Sequence, residues 1–214
     1  MAQIAPSMLS ADFLHLEEDV KFVNGHADIF HLDIMDGIFV PNISYGFPVV
    51  EAIASRAQKP MDAHLMILHP EKYIERFAKA GVRMLSFHFE TGGDTAGILD
   101  RIKALGMCPG LAINTDILVE NIYPYLEKCG FVVIMSVFAG FGGQKFIEDS
   151  YGRIEILKKE IVSRGLDCKI EVDGGVSPSN SSALIEAGAD ILVAGSAVFR
   201  ASDPADAVRR MRSL

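Results

Sequence analysis

Eight short apolar runs rich in β-branched residues, each followed by a segment of helical period, constrain this chain more than any other feature. The runs cover residues 4–8, 29–35, 61–66, 84–88, 108–113, 131–137, 168–172 and 191–194. The helical segments between and after them cover 13–23, 49–56, 71–80, 94–105, 119–128, 150–163, 180–187 and 204–211. Glycines at 25, 81, 106, 130, 165 and 188 fall where helices should end before the next strand. Strands that alternate with helices form a parallel sheet, and eight such units in 214 residues suit a sheet closed on itself as a (β/α)8 TIM barrel. An open, doubly wound sheet is the competing arrangement. Its dinucleotide-binding version would carry a Gly-x-Gly-x-x-Gly turn after the first strand, and this chain has none there. No Pro/Gly/Ser-rich linker interrupts the pattern, so residues 1–214 read as one domain.

Half the residues are hydrophobic and 22% are charged, the mix of a chain that builds a large core without disulfide staples. The net charge of −8, without a Lys/Arg-rich run, repels phosphate backbones and anionic lipid, so neither nucleic acid nor membrane is an expected partner. An anionic substrate would need a local, shielded site. Cys108, Cys129 and Cys168 are odd in number and free of Cys-x-x-Cys pairs, which reads as reduced thiols packed in the core. Residues 1–10 lack the cationic start and apolar run of a signal segment, and a cytoplasmic protein is the expectation. A homo-oligomer is expected because barrels often associate through exposed apolar helix faces.

In a barrel the working groups sit at the C-terminal ends of strands and in the loops beyond. His31 and Asp33 are two apart on the second strand and share a face. His64 lies near the end of the third strand, and Asp173 ends the seventh. Buried ionisable groups are costly unless paired or metal-bound, and two imidazoles with two carboxylates form a ligand set for one divalent ion. Zinc, iron(II), manganese and cobalt all suit such a set. His88 and Glu90, at the end of the fourth strand, share a face and are candidate ligands or ligand-orienting partners. His15, His26 and His69 fall on helical or loop segments and read as solvated.

Glycines mark a second feature. Gly140-Phe141-Gly142-Gly143-Gln144 follows the sixth strand, Gly174-Gly175 the seventh and Gly195-Ser196 the eighth. Glycine lets backbone N–H groups approach an anion, and the last loops of this fold are a recurrent phosphate site, so a phosphorylated small molecule is the expected ligand. Ser7, ending the first strand, adds a hydroxyl. Met8, Met35, Met66 and Met135 fall at or near strand ends and would floor the site with adaptable apolar surface.

These stretches carry a resemblance. Residues 6–12 (Pro-Ser-Met-Leu-Ser-Ala-Asp), 31–37 (His-Leu-Asp-Ile-Met-Asp-Gly), 39–42, 64–66, 140–144, 171–175 (Glu-Val-Asp-Gly-Gly) and 194–199 resemble the ribulose-phosphate 3-epimerase family along nearly the whole chain. The resemblance implies that His31, Asp33, His64 and Asp173 bind one divalent metal per subunit, usually zinc or iron(II). It implies that Asp33 and Asp173 double as acid and base, inverting C3 of a ketose 5-phosphate through an enediolate. It also implies substrate contacts from Ser7, His64, Gly140, Phe141, Gly142, Gly143, Gly174, Gly175, Gly195 and Ser196, over an apolar floor of Met35, Met66 and Met135.

The chain departs from that pattern at two places. Phe138-Ala139 stands where the family usually has a polar or acidic residue and proline, and Ile38 where it usually has histidine. An epimerase of the six-carbon allulose 6-phosphate uses the same reacting atoms and is not separated by these motifs. A Schiff-base aldolase would need a lysine at a strand's C-terminal end, and Lys169 is at the start of its strand. Barrel decarboxylases with an Asp-x-Lys-x-x-Asp signature do not match Asp62-Ala63-His64-Leu65-Met66. A sugar-phosphate-binding barrel without catalysis would not require the paired carboxylates.

Overall fold

The computed structural model describes residues 1–212. Eight strands lie at Gln3–Pro6 (β1), Phe30–Met35 (β2), Met61–Met66 (β3), Met84–His88 (β4), Cys108–Ile113 (β5), Phe131–Met135 (β6), Lys169–Asp173 (β7) and Ile191–Ala194 (β8). All paired neighbours are parallel, in the order β1-β8-β7-β6-β5-β4-β3-β2. A parallel bridge between Ser7 and His31 and a backbone bond from Asp28 N to Ile4 O (3.0 Å) join β1 to β2 and close the barrel. The open-sheet alternative is excluded.

The outer ring is formed by helices Leu16–His26 (α1), Phe47–Ala54 (α2), Ile74–Lys79 (α3), Thr95–Ala104 (α4), Ser150–Ser163 (α5), Ser181–Ala187 (α6), Ser196–Phe199 (α7) and Pro204–Arg212 (α8). Between β5 and β6 the expected α-helix is instead the 3-10 segment Val119–Lys128. Pro124 lies inside it, lacks an N–H and clashes with the turn before it, so an α-helix cannot run through. The expected helix at 71–80 likewise splits, into a 3-10 turn, Pro70–Lys72, and α3. Of the six expected helix-ending glycines, Gly25 lies inside α1 and Gly130 follows the 3-10 segment. A Cβ on Gly130 would sit 2.3 Å from Cys108 Sγ, so close packing explains that glycine.

Alternation along each strand divides the side chains into two populations. Outward residues such as Leu32, Ala63, Leu65, Leu85, Phe87, Val132, Ile170 and Leu192 pack under the helices. Among inward residues, Ala5, Ile29, Ile191 and Val193 form one apolar cluster, and Ala112, Phe131, Val133 and Met135 another. The inward faces of β2, β3, β4 and β7 carry buried polar groups instead: His31, Asp33, Asp62, His64, Ser86, His88 and Glu171. That polarity is the opposite of what stability alone favours, and it gathers Glu171 and Asp173 of β7 against His31 of β2 and His64 of β3.

All three cysteines are free, and burial pushes the Cys168 thiol up to about 12, in keeping with inert core thiols. Among the described residues no helix is long and apolar enough to cross a membrane.

Candidate active site at the barrel mouth

Strand register brings the four expected ligands together. Asp33 pairs with His64 across β2 and β3, while Asp173, ending β7, pairs with Val193. His31 Nε2 lies 3.4 Å from Asp33 Oδ1 and 3.8 Å from Asp173 Oδ2. His64 Nδ1 lies 3.7 Å and 3.6 Å from the same two oxygens. One atom from each of the four residues thus faces a common point. Among the described residues neither His31 Nε2 nor His64 Nδ1 has a hydrogen-bond partner, although both rings are fully buried. Unpartnered imidazole nitrogens aimed at two carboxylates are what a borderline divalent cation would satisfy, so the residues fit a metal. The donor set does not choose among zinc, iron(II), manganese and cobalt.

Each group is held from behind. Asp33 turns its other oxygen, Oδ2, to the Ser7 hydroxyl, which donates at 2.5 Å. His31 Nδ1 donates to Asp62 Oδ2 at 2.7 Å, with Glu171 Oε1 3.4 Å away. Burial works against the Asp33 carboxylate, yet the adjacent His31 and His64 hold its pKa well below the usual range. Burial likewise opposes charge on the histidines, and the carboxylates outweigh it: His31 rises well above its ordinary value, and His64 rises to about 9 beside Asp173 and Asp33. Burial first, and then the neighbouring Asp62 charge, push Glu171 up to about 8.

Asp62 and Glu171 are absent from the expected site, although the signal for them was present. Asp62 is two residues from His64, and Glu171 two from Asp173, the same spacing that links His31 to Asp33. His88 and Glu90 fall into place behind His64, with His88 Nε2 3.0 Å from His64 Nε2 and His88 Nδ1 3.3 Å from Glu90 Oε1. They do not belong to the group of atoms facing the common point.

Above these groups opens a cavity of about 270 Å³, at the small end of ligand-pocket sizes. Ser7, Asp33, Met35, Met66, Met135 and Asp173 line its depth, and Gly140, Phe141, Gly142, Gly143, Gly174, Gly175, Gly195 and Ser196 line its rim. His64 is buried behind that wall, and Met8 packs into the helix-facing core instead of the floor. The rim includes the segment after β6, residues 138–144, here called loop six. Asn42 Nδ2 donates to Gly140 O (2.9 Å), and Gln144 Nε2 to Phe138 O (2.7 Å) and Phe141 O (2.9 Å). Ala139 donates its N–H to Asn114 Oδ1 at 2.9 Å, a bond impossible for the proline usual at this position. Ile38 is 73% exposed and lines a separate apolar groove with Ile43, Leu68 and Tyr73. His15, His26 and His69 are exposed, as expected.

The model of the ribulose-phosphate 3-epimerase family matches residues 3–199. The chain belongs to that family. It is 45% identical over 213 residues to ribulose-phosphate 3-epimerase of Synechocystis, covering 98% of this chain and 93% of that one. Identity to the Bacillus subtilis enzyme of the same name is 43%, over 99% of each chain. Solved structures share the fold at low identity. The tryptophan synthase alpha-subunit of Pyrococcus furiosus superposes with a TM-score of 0.72 at 14% identity, covering 98% of this chain and 96% of that one. The 3-hexulose-6-phosphate synthase of Salmonella typhimurium gives 0.70 at 19%, with the same coverage. At such identities the likeness speaks for the barrel alone, whereas the epimerase family membership rests on full-length sequence similarity.

Gly175 gives the site a sharp test. Its φ is +64°, and a Cβ there would meet Phe146 N at 2.6 Å and Gln144 O at 3.0 Å, both backbone atoms. Gly175→Ala is expected to displace the end of loop six and cost about 1–3 kcal/mol of stability. Thermal unfolding alongside ligand titration checks it, and an unchanged midpoint with unchanged affinity would contradict the close approach.

Proposed function

We propose that this chain interconverts D-ribulose 5-phosphate and D-xylulose 5-phosphate by moving the C3 proton, with Asp33 and Asp173 as the two proton-transfer groups. The observation that carries this reading is the pairing of those carboxylates across one buried pair of imidazoles at the floor of a small cavity. Inversion next to a carbonyl requires a base on one face of the carbon and an acid on the other. Asp33 on β2 and Asp173 on β7 approach from strands that the ring separates by β8 and β1. One carboxylate takes the C3 proton, leaving an enediolate, and the other, already protonated, returns a proton to the opposite face. The reverse reaction exchanges their roles.

Ser7 holds Asp33 by its Oδ2, which leaves Oδ1 directed into the site. His31, Asp33, His64 and Asp173 would hold the cation. When bound, a divalent cation supplies Lewis-acid stabilisation of negative charge developing on the substrate. Met35, Met66 and Met135 keep water from the reacting carbon. The glycine backbone of the rim suits the phosphate, because N–H groups without side chains approach an anion closely. The six-carbon allulose 6-phosphate shares the reacting atoms, and nothing in the cavity favours it.

Turnover of the two ketose phosphates by protein loaded with zinc or iron(II), beside a chelated control, tests the proposal. Chelator-sensitive formation of xylulose 5-phosphate, with the hexulose slower, is the expected result. Faster hexulose turnover would keep the chemistry and change the substrate, and turnover of neither would favour a binding barrel.

A further inference from the structure

We infer that His88, Glu90 and Asn114 form a positioning relay that sets which nitrogen of His64 faces the carboxylates and anchors that setting to the backbone of loop six. The inference rests on the metal reading above only for its affinity readout. Its basis is the direction of each hydrogen bond. Glu90 Oε1 accepts the backbone N–H of Asn114 at 3.0 Å and lies 3.3 Å from His88 Nδ1. A carboxylate oxygen only accepts, so the proton of a neutral His88 sits on Nδ1. Its Nε2 is then an acceptor, and the group facing it at 3.0 Å, His64 Nε2, must donate. With Nε2 committed, His64 turns Nδ1 toward Asp33 Oδ1 and Asp173 Oδ2.

Packing holds the relay in register. The His64 and His88 rings stack with centroids 5.0 Å apart, and Phe39 covers His88 at 4.8 Å. Asn114 extends the chain of contacts outward. Its carbonyl accepts from Arg153 Nη2 at 2.7 Å, and its Oδ1 accepts the N–H of Ala139 at 2.9 Å. Direct contacts therefore run through five residues, His64, His88, Glu90, Asn114 and Ala139, from the floor of the site to its rim. Among the described residues His31 has no such link to a loop: behind it, Asp62 Oδ1 and both carboxyl oxygens of Glu171 are buried without a hydrogen-bond partner.

Nitrogen-15 NMR of the metal-free protein reads the His88 tautomer, and a Zn2+ competition titration reads affinity. In the wild type His88 should carry its proton on Nδ1. Glu90→Leu removes the acceptor, so His88 should lose that tautomer and Zn2+ affinity should fall by about 10–100-fold. Glu90→Gln keeps an acceptor oxygen and should restore most of both. Asn114→Ala leaves the backbone N–H to Glu90 in place, so the tautomer should persist while amide exchange at Ala139 accelerates. Wild-type tautomer and affinity in Glu90→Leu would overturn the relay. Unchanged Ala139 exchange in Asn114→Ala would overturn its anchoring to loop six. Wild-type protein that binds no Zn2+ would defeat the metal reading instead, and the His88 tautomer would still decide the relay.

Discussion

Asp173→Asn is expected to lower epimerisation by about 10²–10⁴-fold while circular dichroism remains that of the wild type. The carboxamide matches the carboxylate in size, and the side chain is 15% exposed, so the substitution leaves no buried void. It cannot take or return a proton at the reaction's pH. Two-base inversion makes a more selective forecast than loss of rate. Under the two-base proposal, with Asp173 disabled Asp33 would still reach the C3 proton of one epimer and return deuterium from solvent to the same face. Exchange should therefore persist with one epimer and vanish with the other, and Asp33→Asn should show the opposite preference. Mass spectrometry of each epimer recovered from D2O reads this directly. Exchange into both epimers at wild-type rates in Asp173→Asn would show that the proton moves by another route.

Phe131→Ala has the largest expected effect on stability, about 3–5 kcal/mol. The ring is fully buried inside the barrel and lies over Gly110, where an added Cβ would come within 2.3 Å of it. Its cluster includes Ala112, Val133 and Met135, rigid strand residues that cannot collapse into the space left behind. Chemical denaturation should show a lower midpoint with the slope preserved. A loss below about 1 kcal/mol would mean that the apolar half of the barrel repacks more freely than its strand framework suggests.

The strand-helix alternation was legible because every strand of a parallel barrel is covered on both faces and so reads as an apolar run. The polar exceptions were legible for the same reason: His31, Asp33 and His64 interrupt those runs, and Asp173 directly follows one. Period-two spacing reaches Asp62 and Glu171 equally well, yet their role emerges only from their contact with His31. Contacts between strands depend on register, which no single strand encodes. His64 pairs with Ser86, and His88 sits two residues further on, close enough for its imidazole to reach His64. Pro124 announced that the segment after β5 would not be an α-helix, and the apolar period of residues 119–128 masked that signal. The ties across loop six, such as Asn42 to Gly140 and Asn114 to Ala139, join residues far apart in the chain and leave no local pattern.

The pairing of β1 with β8 also bears on how the molecule is made. Every ladder partner of β1 lies at residues 191–194, so during synthesis the edge of β1 away from β2 stays open until β8 has been made. Three of the four residues facing the common point leave the ribosome within the first third of the chain, and the fourth, Asp173, near its end. A nascent chain halted before β7 thus presents an incomplete donor set with weak hold on any ion. Completion of the four-residue donor set and sealing of the first strand become nearly simultaneous, late events in the birth of the protein.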